Sequence, residues 1–578
     1  MTKPNTVREA IMLRDGVPED TELQRIRALP RRVWTQRQLV VAVRRMTAEL
    51  KKPEGTQVLW PDQAKALYEI EWYGGIVGGI RVSGGKSLIA FLAASMRPDL
   101  PRPLLLCPSK SIRTGKIAAT YAEAARHWKV RSDITWLSYE LLQRAEYADY
   151  LTTYAPGMII MDEAHHAGRY DSSRTKRIER FRAAFPTAPI ILLSGSLIAS
   201  RVVDDSQRLC EWALGTSSPL PLTAAKQTQR FWRLALEEPV KAKPGALRSL
   251  CKPEETTLAG VGRRYRETPG VCVSGGDRVL GTSLTCQVHE LQLSAPLVEA
   301  FAHLREGRNP DGSELLDTDG HNTWLTAQTL ALGFYYVPDP KPPSEWLLAY
   351  RNWAAYCREY VADPDNGCDT ELQARNALIN DPECWPLHEW LAVRDDFKLQ
   401  RRAIWLCESR LEAVRDWQRH HKHGLVWVQF AAFGKRLRPY YGTHARDAVT
   451  RRYLTDHKAG SSAVASIKVC SEDLNLQYQF HQNLFVAPPA TGAWHEQAIA
   501  RTHRYGQTQP EITVDYWVSC AENADALKVA RKRESAAAIM GGDKQRKLLI
   551  ADWLTVHKLN KQGPQWQKRV QLPDAVMR

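Results

Sequence analysis

Four short apolar runs in the first 200 residues most constrain the fold of this 578-residue chain. The runs are Pro103–Cys107, Ile134–Leu137, Met158–Met161 and Pro189–Leu193; turn residues bound them, and stretches with helical character separate them. Short apolar runs that alternate with helices are typical of strands in a parallel sheet that is buried on both faces. The sequence therefore predicts an α/β fold.

The composition is that of an ordinary globular protein, with 44% hydrophobic and 25% charged residues. The length is sufficient for roughly three to four domains. The 11 cysteines are scattered without a C-x-x-C pair or a Cys/His cluster, which indicates neither a zinc site nor a disulfide framework. The N-terminus lacks an apolar signal core, and no run approaches the roughly 18 apolar residues of a membrane span. We therefore expect a soluble, cytoplasmic protein with no membrane partner.

The charge balance favours a polyanionic partner. Lysine and arginine total 79 against 64 aspartate and glutamate residues, which leaves a net charge of +15 and a pI near 9.2. Basic side chains that neutralise phosphates release counterions, so a surplus of this kind is suited to nucleic acid binding.

A change in composition near residue 55 divides the first half of the chain into two predicted regions. Residues 1–55 are predicted to form a basic helical extension, in which seven arginines between positions 25 and 45 surround the apolar run Leu39–Val43. Residues 56–294 contain the four apolar runs and are predicted to form one α/β lobe.

The second half of the chain is predicted to contain an insertion and another α/β lobe. Residues 295–410 are rich in Trp, Leu and Ala and show helical periodicity without strand-like runs, which predicts an α-helical insertion. Residues 411–578 return to the α/β texture with Leu425–Phe430 and Asn483–Val486 and end in a basic tail.

The segment Ser83–Ser87, Ser-Gly-Gly-Lys-Ser, precedes a helix-forming run and has the composition of a phosphate-binding loop. Gly84 and Gly85 let backbone N–H groups approach phosphate oxygens, and a helix N-terminus favours their charge. We expect Lys86 to reach the β- and γ-phosphates of ATP and Ser87 to ligate Mg²⁺. The full G-x-x-x-x-G-K-[ST] pattern is not met, because an isoleucine stands at the position of its first glycine.

Two carboxylates follow the apolar run Met158–Met161. Asp162 is suited to hold Mg²⁺ and Glu163 to act as the base that activates water. A solvated acidic turn would explain the residue types but not their position at the end of a strand. The adjacent His165 and His166 are poorly placed to share one metal ion, so we expect them to serve packing or coupling.

The order of these segments resembles that of the superfamily-two helicases of the DEAH form, and within them the Swi/Snf-type translocases of double-stranded DNA. Leu59–Ala66 is similar to their opening L-R-x-Y-Q segment, and Gln63 matches the glutamine that reads adenine. Leu104–Lys110 is similar to motif Ia, Thr135–Glu140 to the S-Y-E motif, and Leu192–Leu197 to the L-T-G-T-P motif that links hydrolysis to DNA contact. The resemblance implies two RecA-like parallel-sheet lobes that close on one ATP.

A second part of the resemblance begins at Gln497, about 335 residues after Asp162. Gln497, Arg501 and Arg504 are spaced so that a helix would place them on one face, although such a stripe is often only solvated. The segment Gln497–Gln507 is very similar to the Q-A-x-x-R-x-H-R-x-G-Q signature of the Swi/Snf-type ATPases. That similarity implies that the two arginines stabilise transition-state charge and that the glutamine orients the γ-phosphate and water. Leu425–Phe430 is similar to motif IV.

The same resemblance implies contacts to the DNA backbone. The candidate residues are Ser109 and Lys110 in motif Ia, Ser138 in the S-Y-E motif and Ser471 in motif V. The motif V segment Val469–Leu476 keeps its terminal Leu-Asn-Leu but lacks several residues of the glycine-rich stretch of the family.

We therefore expect an ATP- and Mg²⁺-dependent translocase on double-stranded DNA, monomeric, from a bacterial or phage-infected cell. One alternative is a strand-separating helicase in repair, replication or recombination, although no Asn-Gly or Asp-Gly hairpin suited to splitting strands stands out. Another is a DNA-binding scaffold with a weakened ATPase, because Ser83 replaces a glycine of the family's phosphate loop and motif V is short.

Overall fold

The computed structural model has two parallel six-stranded sheets, which confirms the predicted α/β class and agrees with two RecA-like lobes. The structure describes residues 16–81, 84–168, 172–195, 197–198, 202–237, 243–274, 281–313, 320–363, 366, 370–398, 400–437, 454, 461–471, 474–543 and 545–554. Ser83 and the basic tail predicted at the C-terminus lie outside the described residues.

The first sheet has the strand order β3-β2-β4-β5-β1-β6, and all of its strands are parallel. Its strands are β1 Ile76–Gly79, β2 Pro103–Cys107, β3 Thr135–Ser138, β4 Met158–Asp162, β5 Ile190–Leu193 and β6 Val271–Val273. The four apolar runs are β2, β3, β4 and β5, as predicted. Leu104 and Leu106 enter one core layer and Leu105 enters the other, so both faces of the sheet are covered.

The second sheet has the strand order β11-β10-β12-β13-β7-β14 and is also parallel. Its strands are β7 Ser283–Glu290, β10 Gly424–Val428, β11 Ala463–Ser466, β12 Gln482–Phe485, β13 Glu511–Val518 and β14 Asp552–Leu554. Strand β7 pairs with β13 along all eight residues. The chain therefore leaves the first sheet before the boundary predicted at residue 294.

Most of the α-helices cover these sheets, whereas three helices of the insertion, within residues 344–393, pack on one another. From the N-terminus to the end of the first sheet they are α1 Thr21–Ala28, α2 Gln36–Leu50, α3 Pro61–Tyr73, α4 Lys86–Met96, α5 Ser109–Arg113, α6 Lys116–His127, α7 Tyr139–Leu142, α8 Tyr150–Tyr154, α9 Ser173–Ala184, α10 Val202–Leu214, α11 Lys226–Glu237 and α12 Thr257–Arg266. Those that follow are α13 Ala295–Arg305, α14 Gly320–Leu330, α15 Ser344–Ala362, α16 Glu371–Leu378, α17 Trp385–Val393, α18 Ser409–His420, α19 Ala431–Leu437, α20 Ile467–Cys470, α21 Gly492–Ile499, α22 Ala521–Gly541 and α23 Lys547–Ile550. Within the described ranges, none of the helices combines the length and apolar character of a membrane span.

The N-terminal helices pack onto the first lobe. Helix α2 begins with a capping box, in which Thr35 and Gln38 exchange hydrogen bonds between side chain and backbone. In α1, Leu23 is fully buried in the core of the first lobe, and Arg25 donates to the carbonyl oxygens of Ser218 at 2.8 Å and Leu220 at 2.9 Å.

The insertion is not purely helical, which corrects the prediction for residues 295–410. Strands β8 Phe334–Pro338 and β9 Arg401–Trp405 form an antiparallel pair between its helices. Phe334 stacks on Trp405 across the pair, with ring centroids 4.8 Å apart. Cross-strand aromatic pairs stabilise antiparallel strands. Helical periodicity is a local pattern and does not predict pairing between residues that are far apart in the sequence.

Helix α22 joins the two lobes. Leu527 and Ala530 in its first half belong to the core of the second lobe, whereas Met540 near its end belongs to the core of the first. Arg266 of α12 donates a 3.0 Å hydrogen bond to the carbonyl oxygen of Met540 and thereby satisfies the helix C-terminus. The lobes are therefore connected by a continuous helix as well as by the chain between β6 and β7.

Candidate functional site

A cleft of about 320 Å³ lies between the lobes, at the carboxyl edge of the first sheet. The predicted residues that line it are Gly85, Lys86, Ser87, Asp162 and Glu163 from the first lobe and Gln497, Arg501 and Arg504 from the second. A volume of this size is within the range of small-molecule sites. The structure thus brings together two groups of residues that are far apart in the sequence.

The loop before α4 requires glycine at position 85. Gly85 has φ +80°, in the left-handed region that side chains disfavour. A Cβ at this position would lie only 2.1 Å from Nε2 of Gln63. Gln63 is itself buried, and its Oε1 accepts a 2.8 Å hydrogen bond from the backbone N–H of Trp60. Gln63 therefore lies directly against the loop.

The loop residue Gly84 donates its N–H to the carbonyl oxygen of Arg81 at 3.0 Å. Lys86 is the first residue of α4, and its Nζ lies 3.4 Å from Oε1 of Glu163. A buried ammonium beside the N-terminus of an 11-residue helix favours an anion in the cleft.

Glu163 is held in an unusual backbone conformation with φ +51°. Strain of this kind at a non-glycine residue is typical of functional sites. The Ser194 hydroxyl donates to Oε2 of Glu163 at 3.1 Å, and Nδ1 of His165 lies 3.5 Å from the same oxygen. Burial raises the pKa of the Glu163 carboxyl, but Lys86 and His165 outweigh burial and hold the pKa well below its usual value. Glu163 is therefore ionised at neutral pH.

Asp162 is the last residue of β4, and its position is fixed from both sides. The hydroxyl of Tyr139 donates to the carbonyl oxygen of Asp162 at 2.8 Å. Oδ1 of Asp162 accepts the N–H of Glu163 at 3.2 Å. Burial raises the pKa of Tyr139 well above its ordinary value, so this phenol remains a hydrogen-bond donor.

Ser194 and His165 are site residues to which the sequence assigned no catalytic role. Ser194 follows β5, which lies between β1 and β4 in the sheet, and its hydroxyl is 2.8 Å from Nδ1 of His165. The rings of His165 and His166 stack with centroids 4.5 Å apart. A hydroxyl directly after a buried strand was the available signal, but only the strand order shows that it faces Glu163.

The prediction that Gln497, Arg501 and Arg504 share one helix is wrong, because α21 ends at Ile499. The chain continues in tight turns, in which the N–H of Arg501 bonds the carbonyl oxygen of Ala498 at 3.0 Å. Side-chain contacts hold this segment against β12 and the residue before β7. These include a 3.0 Å hydrogen bond from Nδ2 of Asn483 to the Thr502 hydroxyl and a 2.9 Å contact between Nε2 of His503 and the carbonyl oxygen of Thr282.

The turns nevertheless direct both arginines to the cleft. Arg501 and Arg504 each donate to the carbonyl oxygen of Leu474, at 3.3 Å and 3.2 Å. Gln497 and Arg501 are buried, and burial lowers the pKa of the half-buried Arg504. One carbonyl oxygen thus orients two guanidinium groups beside the same space.

The four predicted DNA contacts are not equally accessible. Ser109 and Lys110 have partly exposed side chains, and Nζ of Lys110 donates to the carbonyl oxygen of Val469 in the other lobe. Ser138 and Ser471 are buried, and the Ser138 hydroxyl caps α7. The structure therefore does not present these four residues as one exposed surface.

The residues at the cleft fit ATP with Mg²⁺. Gly84 and Gly85 carry no side chains beside Lys86, so their backbone N–H groups are accessible to phosphate oxygens. Among the described residues no cluster of three or more His, Cys, Asp or Glu could hold a metal. A site with one hydroxyl and one carboxylate, Ser87 and Asp162, suits Mg²⁺, which keeps several waters and binds phosphate oxygens.

Comparison with models of known protein families gives no match, and comparison with curated proteins gives none. The function must therefore be inferred from the residues and geometry of the cleft.

Proposed function

We propose that this chain is an ATP-dependent translocase on double-stranded DNA that hydrolyses ATP between its two lobes. The observation that supports the proposal best is the cleft that Lys86, Asp162 and Glu163 share with Arg501 and Arg504. When groups that act on one substrate lie on separate lobes, closure of the lobes completes the site, which can couple hydrolysis to lobe movement. The resemblance to the Swi/Snf-type ATPases gives the same residues these roles.

The first lobe would hold the nucleotide and its metal. The backbone of Gly84 and Gly85 and the ammonium of Lys86 would bind phosphates, and Gln63 would contact the adenine side of the nucleotide. Ser87 and Asp162 would ligate Mg²⁺, which when bound neutralises charge on the phosphates.

Glu163 would remove a proton from the attacking water. The neighbouring Lys86, 3.4 Å away, keeps the carboxyl in the ionised form that a base requires. Ser194 and His165 fix the position of its Oε2. From the second lobe, Gln497 would orient the γ-phosphate and water, and the two arginines would stabilise the negative charge that develops there.

Duplex DNA is the proposed track because the chain carries a net charge of +15 and the candidate contacts are suited to phosphates. Ser109 and Lys110 are partly exposed as described. Contact through Ser138 and Ser471 would require both to become exposed, since both are buried here and the Ser138 hydroxyl caps α7. Repeated opening and closing of the cleft would then shift the protein's phosphate contacts along the duplex.

The proposal is tested by ATP turnover with duplex DNA, single-stranded DNA, RNA or no nucleic acid. We expect stimulation by duplex DNA of any sequence, and displacement of a triplex-forming strand without fork unwinding. Glu163→Gln should lower turnover by about 10²- to 10⁴-fold while ATP still binds. The same change at the exposed Glu123 of α6 is the matched control and should have no effect.

The other outcomes would support one of the alternative functions or refute the proposal. Preference for single strands together with fork unwinding would support the strand-separating helicase. DNA binding with no turnover, unchanged by Glu163→Gln, would support the scaffold. Turnover that is independent of nucleic acid would refute the translocase.

A further inference from the structure

Glu496, the residue before Gln497 in α21, brings a third carboxylate to the cleft. It lines the cleft together with Gln497, Arg501 and Arg504, yet the residue is only 9% exposed. Neither the phosphate loop nor the segment Gln497–Arg504, called the arginine segment below, explains why a buried acid lines an anion site. The groups around Glu496 determine whether its carboxyl is ionised.

The Glu496 carboxyl lies in a buried cluster formed by three helices of the second lobe. Its Oε2 accepts a 2.6 Å hydrogen bond from the backbone N–H of Lys547, the first residue of α23. A second carboxylate, Glu534 of α22, is fully buried and receives a 2.6 Å bond from Nη1 of Arg546. A Cβ at Gly492 would lie 2.4 Å from Oε1 of Glu534, so α21 packs directly on that carboxylate.

The charged groups around Glu496 shift the pKa of its carboxyl in opposite directions. They are Lys547, Arg546 and Asp543 at and before α23, Glu534 of α22, His503, Arg501 and Arg504 after α21, and Lys86 and Glu163 across the cleft. Burial raises the pKa of Glu496, Lys547 lowers it, Glu534 raises it and Arg546 lowers it, which leaves the pKa at about 7. The carboxyl is therefore partly protonated in neutral solution.

An anion that enters the cleft disfavours the ionised form of a carboxyl on its wall. Glu496 lines the cleft and already interacts unfavourably with the buried carboxylate of Glu534, so a polyphosphate in the cleft adds further negative charge near it. Uptake of one proton from solvent neutralises the Glu496 carboxylate and removes its repulsion with the polyphosphate, and this requires no movement of the helices.

We propose that Glu496 is a proton-linked residue of the nucleotide site, whose carboxyl takes up a proton from solvent when a nucleoside triphosphate binds and returns it when the cleft empties. This inference rests on the proposed function, because it requires the cleft to bind nucleotide. Its consequence is that affinity for the triphosphate falls as the pH rises through neutrality, by up to about tenfold for each unit by which binding raises the pKa.

The test is isothermal titration calorimetry of the full chain with a non-hydrolysable ATP analogue and saturating Mg²⁺. Titrations at about pH 7.5 in two buffers of different ionisation enthalpy measure the protons taken up on binding. We expect the wild type to take up more protons than Glu496→Gln, by a fraction of one proton, because glutamine has similar size and does not titrate. Glu123→Gln on the exposed face of α6 is the matched control and should behave as wild type.

Equal proton uptake by wild type and Glu496→Gln would overturn the inference while leaving nucleotide binding, and hence the proposed function, intact. Absence of nucleotide binding in the wild type would instead refute the proposed function and this inference with it. Should Glu496→Gln fail to fold, the wild type decides: affinity that stays constant between about pH 6.5 and about pH 8.5 overturns the inference.

Discussion

The Ser194 hydroxyl donates a 3.1 Å hydrogen bond to Oε2 of Glu163 and so ties the end of β5 to the residue that follows β4. The same hydroxyl lies 2.8 Å from Nδ1 of His165, which is 3.5 Å from the same carboxylate oxygen. These contacts hold the carboxylate in one orientation beside Lys86. The orientation of the proposed base therefore depends on a neighbouring strand.

Ser194→Ala should lower kcat for ATP hydrolysis and leave KM nearly unchanged. A hydrogen bond to a charged group contributes about 1.5–3 kcal/mol, which corresponds to roughly a ten- to hundredfold loss of rate. Steady-state kinetics with duplex DNA measure the effect. Ser218→Ala, which removes a buried hydroxyl away from the cleft, is the control, and equal losses in the two variants would contradict the assigned role.

Gly85→Ala should weaken nucleotide binding, because alanine is strained at φ +80° and its Cβ, 2.1 Å from Nε2 of Gln63, would displace the buried amide that packs against the loop. Gly115→Ala is a matched control, since Gly115 has φ +70° but nothing lies within 4 Å of the position that its new methyl group would take. The control should lose only the roughly 1–2 kcal/mol of left-handed strain and retain binding. Binding of a fluorescent ATP analogue measures the difference, and full affinity in Gly85→Ala would exclude the loop from the site.

Arg504→Ala should lower kcat by about 10²-fold or more, because a guanidinium that acts on transition-state charge contributes little to substrate binding. The affinity for nucleotide should change much less than kcat. Arg126→Ala, at a side chain that is 75% exposed, provides the control. A rise in KM at constant kcat would assign Arg504 to ground-state binding instead.

Glu496→Gln should stabilise the fold at alkaline pH and have little effect at about pH 4, below the unfolded pKa. Burial raises the pKa of Glu496 to about 7 in the folded chain, above its ordinary value of 4.5. The folded state then binds more protons than the unfolded state, so the wild type loses stability as the pH rises between those values. The difference should reach roughly 1–3 kcal/mol, and thermal unfolding across the pH range measures it. A pH-independent difference between the proteins would contradict this prediction.

Arg546→Met should destabilise the second lobe by about 3–5 kcal/mol, because it leaves the carboxylate of Glu534 buried without its partner. The two side chains are 6% and 0% exposed. Adding Glu534→Gln to this variant should recover much of the loss, since the unpaired charge is then absent. Hydrogen exchange of α21 and α22 measures the local effect, and equal loss in the single and double variants would show that the pair contributes through packing alone.

Much of the framework was predictable from local patterns. The four apolar runs became β2 to β5, because continuous hydrophobicity bounded by turn residues is a property of each strand alone. The helix after Lys86 was predictable for the same reason, since Gly85 and the following apolar residues act within a few positions.

The insertion and the arginine segment were predicted less well. Phe334 and Trp405 pair across more than 60 intervening residues, and helical periodicity gives no sign of that partner. The helix that the spacing of Gln497 and Arg501 predicts ends at Ile499, and side-chain contacts of Thr502 with β12 and of His503 with the residue before β7 hold the turns that follow. The spacing therefore identified side chains that do line the cleft but predicted a helical backbone where the chain forms turns.

The amino-acid sequence alone determined strands β2 to β5, the helix that follows the phosphate loop and which side chains are available to bind phosphate, because hydrophobic period and turn chemistry act over short distances. Only the tertiary structure decided that β7 joins the second sheet, that Ser194 meets Glu163, and that Glu496 shares a buried cluster with Lys547. Each of these depends on strand order or helix packing between residues far apart in the chain. Such contacts are selected by the free energy of the whole folded state, which no local pattern carries.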